Sequence, residues 1–427
     1  MKWKVRKSTL SGNIAIPPSK SHTIRAFLIA ALADGTSVIH NPLLEGDGAS
    51  ALKAARGLGA GVEFFDGGVK ITGTGDDFNR GSGSLDLGNS GTGTNLFASA
   101  AALGSRGRRF DGDDSLRSRP FKVLLDALCG LGASYELESP GRDLPFFIKG
   151  PLKGGRVSVD GISSQFISSL LLTCPLIKDS STEISVFNLH EKPYVELTLW
   201  WLDKQGIEYS RTADFSSFHI PGDQSYSPFE ISVPSDFSSA TFAAVGAAVT
   251  GGKVNLTGLD FSDPQGDKGI FDVIKLAGAG VDVNKDGVLV SGTGLYGRVV
   301  DLNNMPDALP ALSVLACASE KETRFINVQQ ARIKETDRIA VMCAELSKMG
   351  ADIREEKDGL TVRKSSLKGT TVNGHYDHRV IMALALAGMI AEGETVIETA
   401  EAAGVTYPGF AEDFRNLGAN IDVEKQS

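Results

Sequence analysis

The stretch from Arg338 to Gly359 decides the fold, and it reads R-I-A-V-M-C-A-E-L-S-K-M-G-A-D-I-R-E-E-K-D-G. Between Ile339 and Met349 the apolar residues recur every three to four positions, which predicts a helix with one buried face. Gly350 predicts a left-handed helix end, where glycine meets little steric resistance. The alternating residues that follow predict a strand, and Asp358-Gly359 predicts a turn that reverses the chain.

The same pattern of helix, glycine and strand occurs six times along the chain. The six glycines lie 68 to 74 residues apart, and they are Gly59, Gly132, Gly206, Gly278, Gly350 and Gly418. A fixed period of this length indicates repeated supersecondary units. Asp66-Gly67 and Asp286-Gly287 predict turns that match the one at Asp358-Gly359.

A second feature of each unit is a small or polar junction that precedes a nearly all-apolar segment. The six junctions are Pro18-Ser19-Lys20-Ser21, Gly88-Asn89-Ser90-Gly91-Thr92, Ser163-Ser164-Gln165, Pro234-Ser235-Asp236, Asn304-Met305-Pro306-Asp307 and Tyr376-Asp377-His378-Arg379. A helix that is apolar all round is buried on all sides. Each unit is therefore predicted to hold one buried helix that starts at a junction, one amphipathic helix and a few strands.

The chain ends are predicted to share one domain. The last unit stops near Val423 without a return hairpin, and residues 3–5 and 14–16 are expected to supply the missing strands. The domains expected are residues 1–16 with 235–427, and residues 17–234, with three units in each. Helix N-termini bind anions well, so the junctions are expected to converge on an active site in the cleft between the two domains.

Composition and charge exclude several classes of protein. A net charge of −9 over 427 residues argues against general nucleic-acid binding. The four cysteines are scattered without a C-x-x-C pair, which is typical of reduced thiols in a cytosol. No apolar run reaches the roughly 18 residues that a membrane span needs. We therefore expect a cytoplasmic protein, monomeric, without membrane or nucleic-acid partners.

The segment Arg332-Ile333-Lys334-Glu335-Thr336-Asp337-Arg338 carries five charged residues in seven. Because an apolar helical pattern follows, the segment is expected to form the start of that helix. Lys334 and Arg338 would then share one face, and Glu335 would pair with Arg338. Such a cluster suits an anionic ligand together with an acid or base. The alternative is a solvated helix cap with surface ion pairs.

Other cations lie at equivalent junctions, although the protein is acidic overall. The set is Lys20, Arg25, Arg119, Lys334, Arg338 and Arg379. Singly, each has a structural interpretation as a cap or a surface charge. Together they favour two anionic substrates, with Asp307 and Glu335 as carboxylates for proton transfer. His375-x-x-His378 lacks further ligands at metal spacing, and Gly88 to Thr94 lacks the ending of a Walker loop, so neither a metal nor a nucleotide is expected.

These motifs resemble the 3-phosphoshikimate 1-carboxyvinyltransferase (EPSP synthase) family. The matching stretches run from residue 18 to about 410, and the most specific are Lys334-Glu335-Thr336-Asp337-Arg338 and Asp377-His378-Arg379; the others are Pro18 to Ser21 with Arg25, Gly88 to Thr92, Arg119-Pro120, Ser163 to Gln165, Lys192-Pro193-Tyr194 and Pro306-Asp307. The resemblance implies an α/β (α+β) fold of two similar domains, each with three βαβαββ units. Each domain would be an inside-out α/β barrel with buried helices.

The resemblance also implies the reaction, in which the carboxyvinyl group of phosphoenolpyruvate moves to the 5-hydroxyl of shikimate 3-phosphate and phosphate leaves. No cofactor is implied. The residues implied to bind shikimate 3-phosphate are Lys20, Ser21, Arg25, Ser163, Ser164, Gln165, Tyr194, Asp307, Gln330 and Lys334. Those implied to bind phosphoenolpyruvate are Lys20, Gly91, Arg119, Gln165, Arg338 and Arg379. The implied catalytic residues are Asp307, which would take the hydroxyl proton, with Glu335, Lys20 and His378.

Several positions depart from the family pattern. Val405 stands where many members carry a lysine that contacts phosphoenolpyruvate, so another group must take that role. The run from Gly91 to Leu96 lacks the usual Arg-Pro pair, and Glu191 and Gln330 replace a usual serine and asparagine. One alternative is the UDP-N-acetylglucosamine enolpyruvyltransferase family, which lacks both specific motifs and uses a loop cysteine as an acid. The other is a non-catalytic paralogue that binds anions.

Overall fold

A computed structural model describes residues 1–81, 83–285 and 287–425. The chain forms two compact units, one of Met1–Pro17 with Ser235–Ser427 and the other of Pro18–Pro234. Each unit has its own hydrophobic core. The turn predicted at Asp286 lies outside the described residues. None of the helices in the described ranges is long and apolar enough to cross a membrane.

The strands are short, mostly three to six residues. In chain order they are β1 Lys2–Arg6, β2 Ser11–Ala15, β3 Thr36–His40, β4 Gly61–Phe65, β5 Gly68–Thr72, β6 Ser84–Asp86, β7 Arg108–Asp111, β8 Ser134–Leu137, β9 Phe146–Lys149, β10 Gly155–Asp160, β11 Thr182–Phe187, β12 Ser210–Arg211, β13 Ser217–Ile220, β14 Glu230–Ser232, β15 Lys253–Thr257, β16 Gly280–Asn284, β17 Gly287–Ser291, β18 Val299–Asp301, β19 Thr323–Ile326, β20 Asp352–Glu356, β21 Gly359–Arg363, β22 Thr371–Asn373, β23 Glu394–Glu398 and β24 Asn420–Glu424.

The described strands form six sheets of four strands with one common topology. The unit Pro18–Pro234 holds the orders β14-β3-β5-β4, β6-β7-β9-β8 and β10-β11-β13-β12. The other unit holds β2-β15-β17-β16, β18-β19-β21-β20 and β22-β23-β1-β24. In each sheet the first pair is parallel and the other two pairs are antiparallel. This repetition agrees with the predicted fold class.

The N-terminal strands complete two sheets of the second unit. Strand β1 lies between β23 and β24, so it occupies the return-strand position that other units fill from their own hairpin. Strand β2 pairs in parallel with β15 and takes the edge position. The hydrogen bonds that close this unit therefore join residues near the start of the chain to residues near its end.

The α-helices alternate between buried and amphipathic ones. They are α1 Lys20–Leu32, α2 Gly46–Leu58, α3 Gly91–Ala101, α4 Asp114–Arg117, α5 Lys122–Gly130, α6 Ser164–Thr173, α7 Lys192–Lys204, α8 Phe237–Thr250, α9 Ile270–Leu276, α10 Leu309–Ala318, α11 Arg338–Lys348, α12 His378–Ile390 and α13 Phe410–Asn416. Short 3-10 helices cover Cys174–Leu176, Gly266–Gly269, Pro306–Ala308, Gln329–Ile333 and Ala400–Val405.

The glycine pattern that predicted the units has a direct conformational cause. The six glycines that follow the amphipathic helices all have φ between 66° and 105°. Side chains with a Cβ rarely adopt this left-handed backbone, whereas glycine does so readily. The prediction of six left-handed helix ends is therefore confirmed.

Candidate active site

Every predicted junction is the start of a helix in the structure. Ser19, Ser90, Ser163, Asp236 and Asp377 cap α1, α3, α6, α8 and α12, and each side chain accepts a hydrogen bond from a backbone N–H of the first turn. Strand-to-helix connections of this kind leave unpaired N–H groups and a positive dipole end at the junction. The predicted site residues that stand at these helix starts therefore lie where the helix dipole favours an anion.

Arg338 is the centre of a charged cluster in the unit that contains α11 and α12. Only 1% of its side chain is exposed, and it donates to three carboxylates. Nη1 lies 2.7 Å from Asp307, Nη2 lies 2.6 Å from Glu335, and Nε lies 2.8 Å from Asp377. Arg379, also buried, lies 2.8 Å from the second oxygen of Asp307. Three carboxylates thus surround two arginines.

The cluster has a well-defined electrostatic state. Burial alone would lower the pKa of Arg338, but the carboxylates of Asp377, Glu335 and Asp307 outweigh burial and raise that pKa above its ordinary value. Arg338 therefore stays charged at all pH values at which the protein is folded. Asp307 accepts from two arginines while its side chain stays 13% exposed, so the carboxylate is held in place and still accessible.

One part of the predicted arrangement around Arg338 is wrong. Lys334 and Arg338 were expected to share a helical face, but α11 begins at Arg338. Lys334 lies outside the helix, after the 3-10 turn Gln329–Ile333, with φ −82° and ψ −147°. The reason is that the side chain of Asp337 caps the helix by accepting from the Ala340 N–H. The helix therefore begins at Arg338, the residue after this cap. The predicted pair of Glu335 with Arg338 is confirmed.

The remaining predicted residues of this unit lie around the same helix starts. Gln330 is buried and donates to the carbonyl of Asn303. His378 is the first residue of α12 and is 1% exposed. Val405 ends the 3-10 helix Ala400–Val405 and is half-buried.

Glu345 of α11 forms hydrogen bonds with the turn that precedes Asp377. The carboxylate of Glu345 accepts from the Asn373 N–H at 3.0 Å, lies 2.8 Å from His375 Nε2, and pairs with Lys348 at 2.8 Å. His375 and Tyr376 both have φ above 50°, a conformation that costs energy for residues with a Cβ. Glu345 thus fixes the strained turn between β22 and α12.

Replacing Glu345 by glutamine should lower the free energy of unfolding at pH 7 by about 1–3 kcal/mol, since three donors lose the buried carboxylate that accepts from them. Burial alone would raise the pKa of Glu345, but the hydrogen bonds from His375, Lys348 and Asn373 outweigh it and lower that pKa. A lowered carboxyl pKa stabilises the protein above about pH 4.3, and this contribution is lost as pH falls. Urea unfolding at pH 7 and pH 3.5 measures the change, with Glu412→Gln at an exposed site as control. If Glu345→Gln lowers the free energy of unfolding by the same amount at pH 7 and at pH 3.5, the charge of Glu345 is not the cause.

Arg25 is the main buried cation of the other unit. Its guanidinium donates to Thr198 Oγ1 at 2.9 Å, Ser168 Oγ at 3.2 Å, and the carbonyls of Ser21 and Tyr194. All four acceptors are neutral, and burial lowers the pKa of Arg25 to about 10. Within the described ranges no carboxylate pairs with this charge. A buried cation without an anion is costly, so the site favours an anionic ligand.

Lys20 and Ser21 lie beside Arg25 at the start of α1. Lys20 is 9% exposed, and its Nζ lies 3.4 Å from Asp47 at the start of α2. Ser21 is half-buried, and Tyr194 is half-buried near the start of α7.

A second group gathers at the start of α3. A Cβ built on Gly91 would lie 2.7 Å from Arg119 Nη1, so the guanidinium rests against the bare glycine. Arg119 also donates to the Asn89 side chain. Asn95, one turn along α3, donates to Gln165 Oε1 at 2.8 Å. The structure thus brings together Gly91, Arg119 and Gln165, which were predicted to share a ligand.

The two serines at the start of α6 differ in their contacts. Ser163 caps the helix through the Gln165 N–H. Ser164 is buried and donates to Glu191 at 2.8 Å. Glu191 is itself 1% exposed and has φ 56°. The departure from the family pattern at Glu191 therefore adds a buried carboxylate beside Ser164.

Several residues of these clusters were not predicted from sequence. Asp377 was detectable, because it stands inside the Asp377-His378-Arg379 motif. Asn95 is signalled only by its position four residues after Gly91. Asp47, Thr198 and Glu345 carry no local signal, since their roles arise from contacts between separate helices.

The cysteines are located in helices rather than loops. Cys129, Cys317 and Cys343 lie in α5, α10 and α11, and Cys174 lies in a 3-10 helix. Burial raises the pKa of Cys174 and of Cys317 to about 12. This placement gives no support to the alternative that requires a loop cysteine as an acid.

Comparison with known families matches residues 5–414 to EPSP synthase (3-phosphoshikimate 1-carboxyvinyltransferase). A protein of that name from Acetivibrio thermocellus is 49% identical, with 99% of this chain and 100% of that protein covered. One from Methanococcoides burtonii is 42% identical over the full length of both. The solved EPSP synthase of Acinetobacter baumannii is 26% identical and superposes with a TM-score of 0.82, covering 99% of this chain and 100% of that one.

Proposed function

The chain belongs to the EPSP synthase family, and on that basis we propose how its own residues carry out the family's reaction. Membership confirms the predicted transferase function in the shikimate pathway. In that reaction the 5-hydroxyl of shikimate 3-phosphate adds to C2 of phosphoenolpyruvate while C3 gains a proton. The tetrahedral intermediate then loses that C3 proton and phosphate, which leaves the enol ether.

The observation that carries the proposal is the buried Arg25. It has four neutral acceptors and no carboxylate among the described residues, so shikimate 3-phosphate would supply the missing negative charge. Ser21 and Tyr194 lie against Arg25, and Ser163, Ser164 and Gln165 add donors at the start of α6. Lys20 completes the positive surface at the start of α1.

Phosphoenolpyruvate is assigned to the arginines that lie near helix starts. Arg119 at Gly91 offers a guanidinium beside the N-terminus of α3. Arg338 and Arg379 offer two more guanidinium groups, which form ion pairs with three carboxylates in this structure. An arginine fork binds carboxylate or phosphate bidentately. We propose that residues of both units serve the same reaction.

Proton transfer is assigned to the carboxylates around Arg338. Asp307 would take the hydroxyl proton, because it is anchored by two arginines and remains partly exposed. Glu335, Lys20 and His378 would act on the C3 proton, and Lys334 and Gln330 would hold shikimate 3-phosphate. The position of Val405 offers no cation, so this assignment does not use one there.

A phosphate-release assay tests the function. Release should require both phosphoenolpyruvate and shikimate 3-phosphate, and it should persist in the presence of a chelator. UDP-N-acetylglucosamine in place of shikimate 3-phosphate should give no phosphate. Binding without release would instead favour a non-catalytic paralogue, and restoration by a divalent ion after chelation would contradict the metal-free reaction.

Replacing Arg25 by methionine should raise the Michaelis constant for shikimate 3-phosphate about 10- to 100-fold, since a charge-assisted contact is lost. The melting temperature should change little, because Thr198 and Ser168 already bond to each other and a buried unpaired charge is removed. Arg108→Met is the matched control, since Arg108 is equally buried but donates to backbone carbonyls away from the site. Lower stability with an unchanged Michaelis constant would assign Arg25 to structure alone.

Replacing Gly91 by alanine should raise the Michaelis constant for phosphoenolpyruvate about tenfold. The new methyl group would displace Arg119, whose Nη1 lies 2.7 Å from the Cβ position. The flexible side chain of Arg119 can move at little cost in energy. The free energy of unfolding and the Michaelis constant for shikimate 3-phosphate should therefore change little. Gly130→Ala serves as control, because a Cβ there makes only an ordinary contact at 3.7 Å. Equal effects on both substrates would contradict the assignment of Gly91 and Arg119.

A further inference from the structure

Asn95 links two of the proposed binding residues without being one of them. It lies on α3 and is 3% exposed. Its Nδ2 donates to the backbone carbonyl of Gly91 at 3.0 Å and to Gln165 Oε1 at 2.8 Å. One amide group therefore contacts both the glycine against which Arg119 rests and the side chain of Gln165.

The backbone carbonyl of Gly91 determines how both side-chain amides are oriented. A carbonyl only accepts hydrogen bonds, so Asn95 must turn its NH₂ group toward Gly91. The same NH₂ group then faces Gln165, which must turn its Oε1 inward to accept. The NH₂ group of Gln165 consequently points away from Asn95, and within the described ranges no residue accepts a hydrogen bond from it.

This arrangement leaves one polar atom of Asn95 unsatisfied, while a hydrogen bond from α6 holds the Asn95 backbone in place. Asn95 Oδ1 is buried without a hydrogen-bond partner in the part of the chain that the structure describes. If the Asn95 amide rotated by 180°, Oδ1 would face Gly91 O and Gln165 Oε1. Both of these atoms are acceptors, so Oδ1 would gain no hydrogen bond from them. The Ser169 hydroxyl of α6 also donates to the main-chain oxygen of Asn95, which fixes α3 against α6.

We propose that Asn95 is a positioning residue that turns the NH₂ group of Gln165 toward the bound substrate anion. An amide NH₂ attracts an anion and an amide oxygen repels it. The orientation of the Gln165 amide therefore decides whether its contact with the anion is attractive or repulsive. The inference rests on the proposed function, because it takes Gln165 as a ligand of shikimate 3-phosphate. It adds a residue that contacts no substrate and acts through Gln165.

Calorimetric titration of the full-length protein with shikimate 3-phosphate tests the proposal. Asn95→Ala frees the Gln165 amide to rotate and should raise the dissociation constant about 3- to 10-fold. Asn95→Asp forces Gln165 to donate inward and present Oε1 to the anion, and it should raise the constant about 10- to 100-fold. Both variants are repeated in a Gln165→Met background, which keeps the side-chain length but has no amide.

If Asn95 acts through Gln165, Asn95→Ala should have no further effect on the dissociation constant in the Gln165→Met background. An undiminished effect there would overturn the proposal. Ser99→Ala is the structural control, because Ser99 contacts Ser169 one turn along the same helix and does not contact Gln165. It should alter the melting temperature but not binding.

The outcome separates this inference from the proposed function. Binding of shikimate 3-phosphate without phosphate release would contradict the function and leave the test of Asn95 intact. Absence of any binding to the unmodified protein would overturn both.

Discussion

Replacing Asp307 by asparagine should lower turnover about 100-fold or more. Asparagine keeps the size of the side chain and one oxygen for the arginines, but it no longer accepts a proton from the substrate hydroxyl. Because Arg338 and Arg379 remain, both Michaelis constants should change only a few-fold. Steady-state kinetics with each substrate varied in turn separates the chemical step from binding.

Asp301→Asn is the matched control for this variant. Asp301 ends β18 in the same unit and bonds only to Asn303 and Asn327 in the described contacts. It should retain normal turnover. Near-normal turnover of Asp307→Asn itself would refute its assignment as the base.

Replacing Arg338 by methionine should lower the free energy of unfolding by about 3–5 kcal/mol, because three carboxylates lose their buried partner. Arg338 itself does not titrate in this experiment, since its raised pKa keeps the stabilising charge at every pH below about 12. The loss should be largest at pH 7 and shrink toward pH 4, where the carboxylates left unpaired take up protons. Urea unfolding at both pH values measures it.

Arg332→Met is the control for Arg338, since both belong to the same charged segment. Arg332 is 25% exposed and pairs with Asp337 and with Glu355, which are 36% and 44% exposed. Exposed pairs contribute about 0–1 kcal/mol each, so the loss should be far smaller. Equal losses for the two variants would contradict the view that burial makes Arg338 special.

Arg25 and Arg338 also show what the sequence could predict. Arg338 starts α11 and Arg25 lies about one turn into α1, and both helices follow from local patterns of apolar residues, caps and glycines. The sequence therefore predicted the positions of Arg25 and Arg338 and six left-handed glycines. It did not reveal that Arg338 is neutralised by Asp307 and Asp377, which lie 31 and 39 residues away. Arg25, in contrast, has no such partner among the described residues.

Local patterns fail where contacts depend on tertiary packing. Lys334 was placed on the helical face of Arg338 because the spacing of four is helical, but the Asp337 cap starts the helix later. The orientation of Gln165 depends on Asn95, which is 70 residues away in sequence and on another helix. Spacing along the chain contains no information on such a contact.

Strand β1 has a consequence for how the protein is made on the ribosome. Its hydrogen-bonding partners β23 and β24 are synthesised only after the whole of Pro18–Pro234. At about 5–20 residues per second, the residues after Pro234 take roughly 10–40 s to appear, while Pro18–Pro234 already has every strand of its three sheets. The nascent chain should therefore acquire protease resistance in two stages, with β1 unpaired until β23 and β24 have been synthesised, whereas β2 can pair earlier, with β15.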